Sequence, residues 1–175
     1  MARCLWIYEG RAKSWVQSYK LLRRWIYAES IAYRMAERMR EFIGEFDLLV
    51  PVPPSPESLF DRDFCPVDRV ARKVARRTGI PFGPWLARRR GHSVQHHLGR
   101  ARRVDGRERG FVLRRGRRHL WPAAVLLLDD VLTTGATVNV LCQLLQAQGV
   151  QRIGILAIAR SRLQKRDISS EKLDS

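Results

Sequence analysis

Val125-Leu126-Leu127-Leu128-Asp129-Asp130-Val131-Leu132-Thr133-Thr134-Gly135-Ala136-Thr137 is the stretch that decides the fold of this chain. Four aliphatic residues, Val125 to Leu128, predict a short buried strand. Two carboxylates stand at its C-terminal end, and a Thr-Thr-Gly-Ala-Thr turn opens into an amphipathic helix. In open α/β sheets, ligands bind at the carboxyl ends of the strands. A turn that feeds a helix N-terminus gathers N–H groups at the positive end of the helix dipole, which suits an anion. The adjacent acids can accept hydrogen bonds from sugar hydroxyls. Together these groups suit a ribose that carries a phosphate. The plainer reading is an ordinary strand-turn-helix corner whose acids serve solubility or cap the turn.

The flanking sequence alternates helix and strand patterns. Trp15, Tyr19, Leu22 and Ile26 predict one helix, from Ala12 to Tyr27. Ala28, Ile31, Ala32, Met35, Met39 and Phe42 predict the next, with Gly44 as its stop. The segment 1–45 is therefore expected to be helical. Phe46 to Val50 reads as a strand that runs into Pro51, Pro53 and Pro54, where a sheet ladder must end. Pro66 suits a first helical turn; Val67, Val70, Ala71, Val74 and Ala75 mark one helix face, and Gly79 ends it. Ile80-Pro81-Phe82 predicts an edge strand, Pro84 to Leu86 another, and Phe111-Val112-Leu113 a third. Val138, Leu141, Leu144 and Leu145 give a helix closed by Gly149, and Ile153 to Ile158 a last strand. The polar stretch 160–175 reads as a disordered tail. Such alternation predicts an α/β domain, 1–175, with a mainly parallel central sheet covered by helices on both faces. Gly91 to Arg109 has no period and is long for an idle connector, so it is expected to be an active-site flap.

Composition narrows the class. A chain of 175 residues with 45% apolar content suits one domain with one core. No apolar run approaches the ~20 residues that span a bilayer. The first ten residues do not read as a secretory signal. The three cysteines, Cys4, Cys65 and Cys142, form no paired spacing and suit a reducing compartment. A cytoplasmic location is expected. The net charge is +16, and twelve arginines between Leu86 and Arg118 face only Asp105 and Glu108. That field attracts either a diphosphate-bearing small molecule or nucleic acid. His92, His96, His97 and His119 lie in or just beyond this stretch. His96 and His97 could be a base or a metal pair, although adjacent histidines on a basic loop are usually neither. Cys142 is expected in the core.

The run Val125 to Thr137 resembles the phosphoribosyl-diphosphate (PRPP) motif of type I phosphoribosyltransferases, with every fixed position present. Further pieces resemble ComF-type proteins, also called the GntX group: Tyr8-Glu9-Gly10 with Lys20, Val50-Pro51-Val52-Pro53, Arg62-Asp63-Phe64-Cys65, and Gln95, Leu98, Arg102 and Phe111. The resemblance implies the type I phosphoribosyltransferase-like fold, with a flexible loop and a small hood. Asp63 and Cys65 stand where the family carries Gly and Asn, and Asp105 where it carries Asn. These departures fall on the diphosphate side, so the resemblance implies PRPP binding more firmly than turnover. The family's N-terminal zinc ribbon is expected to be lacking, or lost through a start at an internal Met.

By this resemblance Asp129 and Asp130 hold the ribose hydroxyls and lie beside the charge that develops on the sugar. Thr133, Thr134, Gly135, Ala136 and Thr137 hold the 5′-phosphate. Val52, Pro53 and Pro54 meet the diphosphate with backbone groups, and Arg88, Arg89 and Arg102 close over it. Mg²⁺ is the implied cofactor, held mainly by PRPP itself. The implied reaction transfers the 5-phosphoribosyl group to a nitrogen nucleophile, not identified by the sequence, with release of diphosphate. Residues 55–63 and the N-terminal helices are expected to select that acceptor. The alternative is a competence-associated protein that handles single-stranded DNA and keeps the fold without turnover. Only Phe111 interrupts the arginine-rich stretch with an aromatic ring, which weakens a base-stacking platform. A homodimer is compatible with either reading.

Overall fold

The structure, a computed structural model, describes residues 2–7, 9, 26–54, 65–88, 110–114 and 121–161. Its elements in chain order are β1 (Ala2–Ile7), α1 (Ile26–Arg38), β2 (Leu48–Pro51), α2 (Pro66–Thr78), β3 (Leu86–Arg88), β4 (Phe111–Leu113), β5 (Ala124–Leu132), α3 (Ala136–Gln146) and β6 (Arg152–Arg160). A 3-10 turn, Arg40–Glu45, follows α1. Four strands form one sheet in the order β1-β6-β5-β2, and all its pairings are parallel. Phe82 adds one parallel bridge to Leu49 beyond β2. Strands β3 and β4 form a separate antiparallel pair.

Alternation along the strands sorts the core into two layers. Leu49, Leu126, Leu128, Leu156 and Ile158 face α1 and α2, where they meet Ile31, Met35, Met39, Val70 and Val74. Leu48, Val50, Val125 and Leu127 face the other way, toward Val140, Leu141 and Leu145 of α3 and Leu86 and Phe111 of β3 and β4. Each of these strand residues is buried, and burying one such side chain contributes about 1.5–3 kcal/mol. The expected parallel sheet with both faces covered is present.

Local chemistry sets the helix ends. Pro66 begins α2, where its missing N–H costs nothing. Gly79 closes it at φ 76°, a left-handed conformation, and returns its N–H to the Ala75 carbonyl at 2.8 Å. On the solvent side Glu29 of α1 accepts from both Lys73 and Arg77 of α2. These two cations hold the Glu29 carboxyl down at about 2. Arg77 also lies over the Tyr33 ring, 5.6 Å from its centroid.

Four differences from the sequence reading stand out. The segment 1–45 is not helical throughout, because Ala2–Ile7 is a strand paired with β6. It is half-exposed and carries no clean alternation, so its strand character comes from β6 rather than from its own pattern. Strand β5 does not stop at Leu128 but runs through both acids to Leu132, because β6 supplies a partner along that length. Strand β3 begins at Leu86, two residues after Pro84, which has no N–H for a ladder. Arg160 belongs to β6 rather than to the tail. The expected helix from Ala12, the hood at 55–63, the flap at 91–109 and the tail beyond 161 lie outside the described residues, except that Ile26 and Tyr27 begin α1. No described helix is long and apolar enough to cross a membrane.

Candidate functional site

The site forms where β5 ends and α3 begins. Asp129 and Asp130 are half-buried in the last turn-ward part of β5. Each carboxylate accepts the N–H of the residue after it: Asp129 Oδ1 from Asp130 at 2.7 Å and Asp130 Oδ1 from Val131 at 2.6 Å. These contacts restrict the side chains to orientations set by the backbone. Because the acids follow one another in a strand, they leave it on opposite sides.

The turn after β5 is built for a helix start. Gly135 sits at φ 74° and ψ 2°, with no atom within 4 Å of where a Cβ would stand. Backbone conformation rather than lack of room therefore selects glycine here. Thr134 Oγ1 accepts the N–H of Ala136 at 3.3 Å, and the Asn139 N–H closes the first helical bond on the Gly135 carbonyl at 2.8 Å. The N–H groups of Thr137 and Val138 have no carbonyl four residues back within the helix. Such helix-end donors carry the positive end of the dipole. Thr133 and Thr134 are exposed, while Gly135 and Thr137 are half-buried. The five residues named from the sequence thus run without a break from the turn, Thr133–Gly135, into the first two residues of α3.

The proline turn lies alongside. Val52 donates its N–H to the Leu128 carbonyl at 2.8 Å, which holds Val52–Pro54 beside the acids. Arg88, the last residue of β3, donates from Nε to the Pro53 carbonyl at 3.3 Å. The structure therefore brings the Asp129–Asp130 pair, the Thr133–Thr137 turn, Val52–Pro54 and Arg88 toward one end of the sheet. It also corrects one detail. Val52 has spent its N–H on β5, and Pro53 and Pro54 have none, so these three residues offer no free backbone N–H, where backbone contacts were expected. Arg89 and Arg102 lie outside the described residues.

Two neighbours were not singled out as site residues. Cys65 immediately precedes Pro66 at the N-terminus of α2, a position readable from the proline. Burial pushes its thiol up; the Asp68 and Asp130 charges push the same way, against hydrogen bonds from the Asp68 and Val67 N–H groups. The thiol therefore stays neutral at physiological pH and adds no negative charge beside Asp130. Phe111 is the other neighbour, a ring beneath the Arg88 guanidinium at 4.3 Å. Cys142 is half-buried on α3, and burial raises its thiol too.

A parallel sheet covered on both faces, with two acids and a glycine turn leading to a helix at one strand end, defines the class as a doubly wound α/β domain. A family model described as phosphoribosyl transferase domain matches residues 69–174, more than half of the chain, and the chain belongs to that family. Within it this is a ComF-type phosphoribosyltransferase-like protein, as the motif resemblance implied. It is 28% identical over 116 residues to Competence protein F of Haemophilus influenzae, covering 66% of this chain and 51% of that one. The chain thus spans about half the length of that relative. It is 25% identical over 158 residues to Competence protein ComFC of Streptococcus pneumoniae, covering 90% of this chain and 67% of the relative. Similar solved structures include the hypoxanthine phosphoribosyltransferase of Trypanosoma cruzi complexed with the product IMP, at 12% identity and a TM-score of 0.47, covering 77% of this chain and 65% of that one. Another is the hypoxanthine-guanine phosphoribosyl transferase of L. donovani, at 15% identity and a TM-score of 0.43, covering 76% and 69%.

Proposed function

We propose that this protein binds PRPP with Mg²⁺ and transfers the 5-phosphoribosyl group to a nitrogen nucleophile. The observation that carries the reading is the continuous Asp129-to-Thr137 run, in which two half-buried acids lead into a left-handed glycine turn and a helix N-terminus. In the transfer, the nitrogen lone pair forms a bond to C1 of the ribose. The bond from C1 to the diphosphate oxygen breaks, diphosphate leaves with that electron pair, and the nitrogen gives up a proton.

Each part has a distinct task. The first turn of α3 and the threonine hydroxyls hold the 5′-phosphate, using the dipole and the Thr137 and Val138 N–H groups. Asp129 and Asp130 accept from the ribose hydroxyls and place negative charge beside C1 as positive charge builds there. Mg²⁺ takes oxygen ligands and favours phosphates, so it would be held mainly by PRPP itself, with Asp129 or Asp130 the described carboxylate nearest to hand. Such an ion would supply positive charge to offset the charge of the diphosphate. The 52–54 turn gives the diphosphate side a rigid wall.

A second reading has its own support. The arginines between Leu86 and Arg118 and the similarity to two competence proteins favour binding of single-stranded DNA. Isothermal titration separates the two. The first reading expects saturable binding of PRPP that depends on Mg²⁺ and displacement by ribose 5-phosphate. The second expects tight binding of an oligonucleotide with a steep salt dependence. Absence of any heat with PRPP and Mg²⁺ would sink the first. With PRPP bound, a panel of purine, pyrimidine and amine acceptors then identifies the nucleophile by diphosphate release.

A further inference from the structure

The proline turn has a hydrogen-bonding account that is nearly closed. The Val52 N–H goes to Leu128, Pro53 and Pro54 lack N–H groups, and the Pro53 carbonyl receives Arg88 Nε. Arg88 is held on a second side by the Phe111 ring, 4.3 Å from its guanidinium carbon. Arg88 and Phe111 also face each other across the β3–β4 ladder. One planar group is therefore fixed between a ring and a carbonyl. The other end of this strand pair is tied by hydrogen bonds: Arg114 donates from Nε to the Leu86 carbonyl at 3.3 Å and from its N–H to the Trp85 carbonyl at 2.9 Å. Trp85 in turn meets Trp121 edge-to-face, with ring centroids 5.1 Å apart.

We propose that Arg88 is a positioning residue for the diphosphate half of the PRPP site. It locks the Val52–Pro54 turn to the β3–β4 hairpin, while Val52 locks the same turn to β5. The turn is thus held from two sides, and its wall keeps one distance from the acids. This assignment rests on the PRPP reading above, and it moves Arg88 from a group that closes over the diphosphate to one that shapes the surface the diphosphate meets. Shape matters as much as charge in that task. A lysine keeps the positive charge but neither stacks flat on Phe111 nor presents a donor in the guanidinium plane.

The test titrates wild type, Arg88→Ala, Arg88→Lys and Phe111→Leu with PRPP plus Mg²⁺ and, separately, with ribose 5-phosphate, which lacks the diphosphate. Thermal unfolding checks that each variant is folded. Both Arg88 variants should weaken PRPP about tenfold and leave ribose 5-phosphate within about twofold, because a displaced wall misplaces only the group it meets. Phe111→Leu should act in the same direction, and adding it to Arg88→Ala should cost nothing further. If Arg88→Lys binds PRPP like wild type, charge alone suffices and the positioning role is overturned. Equal loss for both ligands would make Arg88 a general structural anchor and also overturn it. A wild-type protein that binds ribose 5-phosphate but not PRPP, or neither ligand, refutes the PRPP reading itself.

Discussion

Asp130→Asn should lower the affinity for PRPP with Mg²⁺ by about a hundredfold, since a hydrogen bond to a charged group contributes about 1.5–3 kcal/mol and the neutral amide also loses its attraction for cationic partners. The substitution is nearly isosteric. Its amide oxygen can still accept the Val131 N–H that Asp130 Oδ1 accepts at 2.6 Å, so β5 keeps its form. Any turnover should fall further than binding, because the charge beside C1 matters most when the sugar carries positive charge. Asp129→Asn should act in the same direction on the other side of the strand. Isothermal titration at fixed Mg²⁺, with thermal unfolding as a check on the fold, measures the effect. An unchanged dissociation constant together with unchanged turnover for Asp130→Asn would remove that acid from the site. Binding retained with turnover lost would restrict its role to the transition state.

The legible parts of this chain were those whose pattern is set by their own residues. The buried run Val125–Leu128 announced a central strand because all four side chains are apolar and it is covered on both faces. Pro66 and Gly79 bracket α2 because each has a backbone restriction that only one helix end tolerates. The Thr133–Thr137 turn was legible for a like reason, since Gly135 marks a positive φ. The parts that were not legible depend on partners far away in sequence. Strand β1 exists through its parallel pairing with β6. The extension of β5 through two acids depends on Ala157, Ala159 and Arg160 opposite it. Pro53 and Pro54 lack an N–H by their chemistry, but the loss of the Val52 donor could not be foreseen, because it finds its acceptor at Leu128 only once β2 lies beside β5. Arg88 was named among twelve arginines, but its place over Phe111 follows from the register of β3 on β4.

The largest loss of stability should come from Leu126→Ala, about 3–4 kcal/mol, from the usual range for a buried leucine truncated to alanine. Leu126 is fully buried as the third residue of β5, on the face that meets α1 and α2. A domain of this size is stable by only about 5–15 kcal/mol, so the change takes a large share of the total. The neighbouring position gives an internal control. A Cβ added at Gly154 would stand 2.4 Å from Phe46 Cζ and 3.0 Å from Leu126 Cδ1. Phe46 is itself buried and has little room to yield. Gly154→Ala should therefore cost about 1–3 kcal/mol by overpacking. The two changes are opposite in sign as volume, since one empties the space that the other overfills. Combined, they should cost less than their sum by about 1 kcal/mol, because the space left by Leu126 lets the Phe46 ring move off the new methyl group. Urea unfolding of the four proteins measures this coupling. Strict additivity would mean that Phe46 cannot use the vacated space and that the two cores of pressure, ring and leucine, act on Gly154 independently.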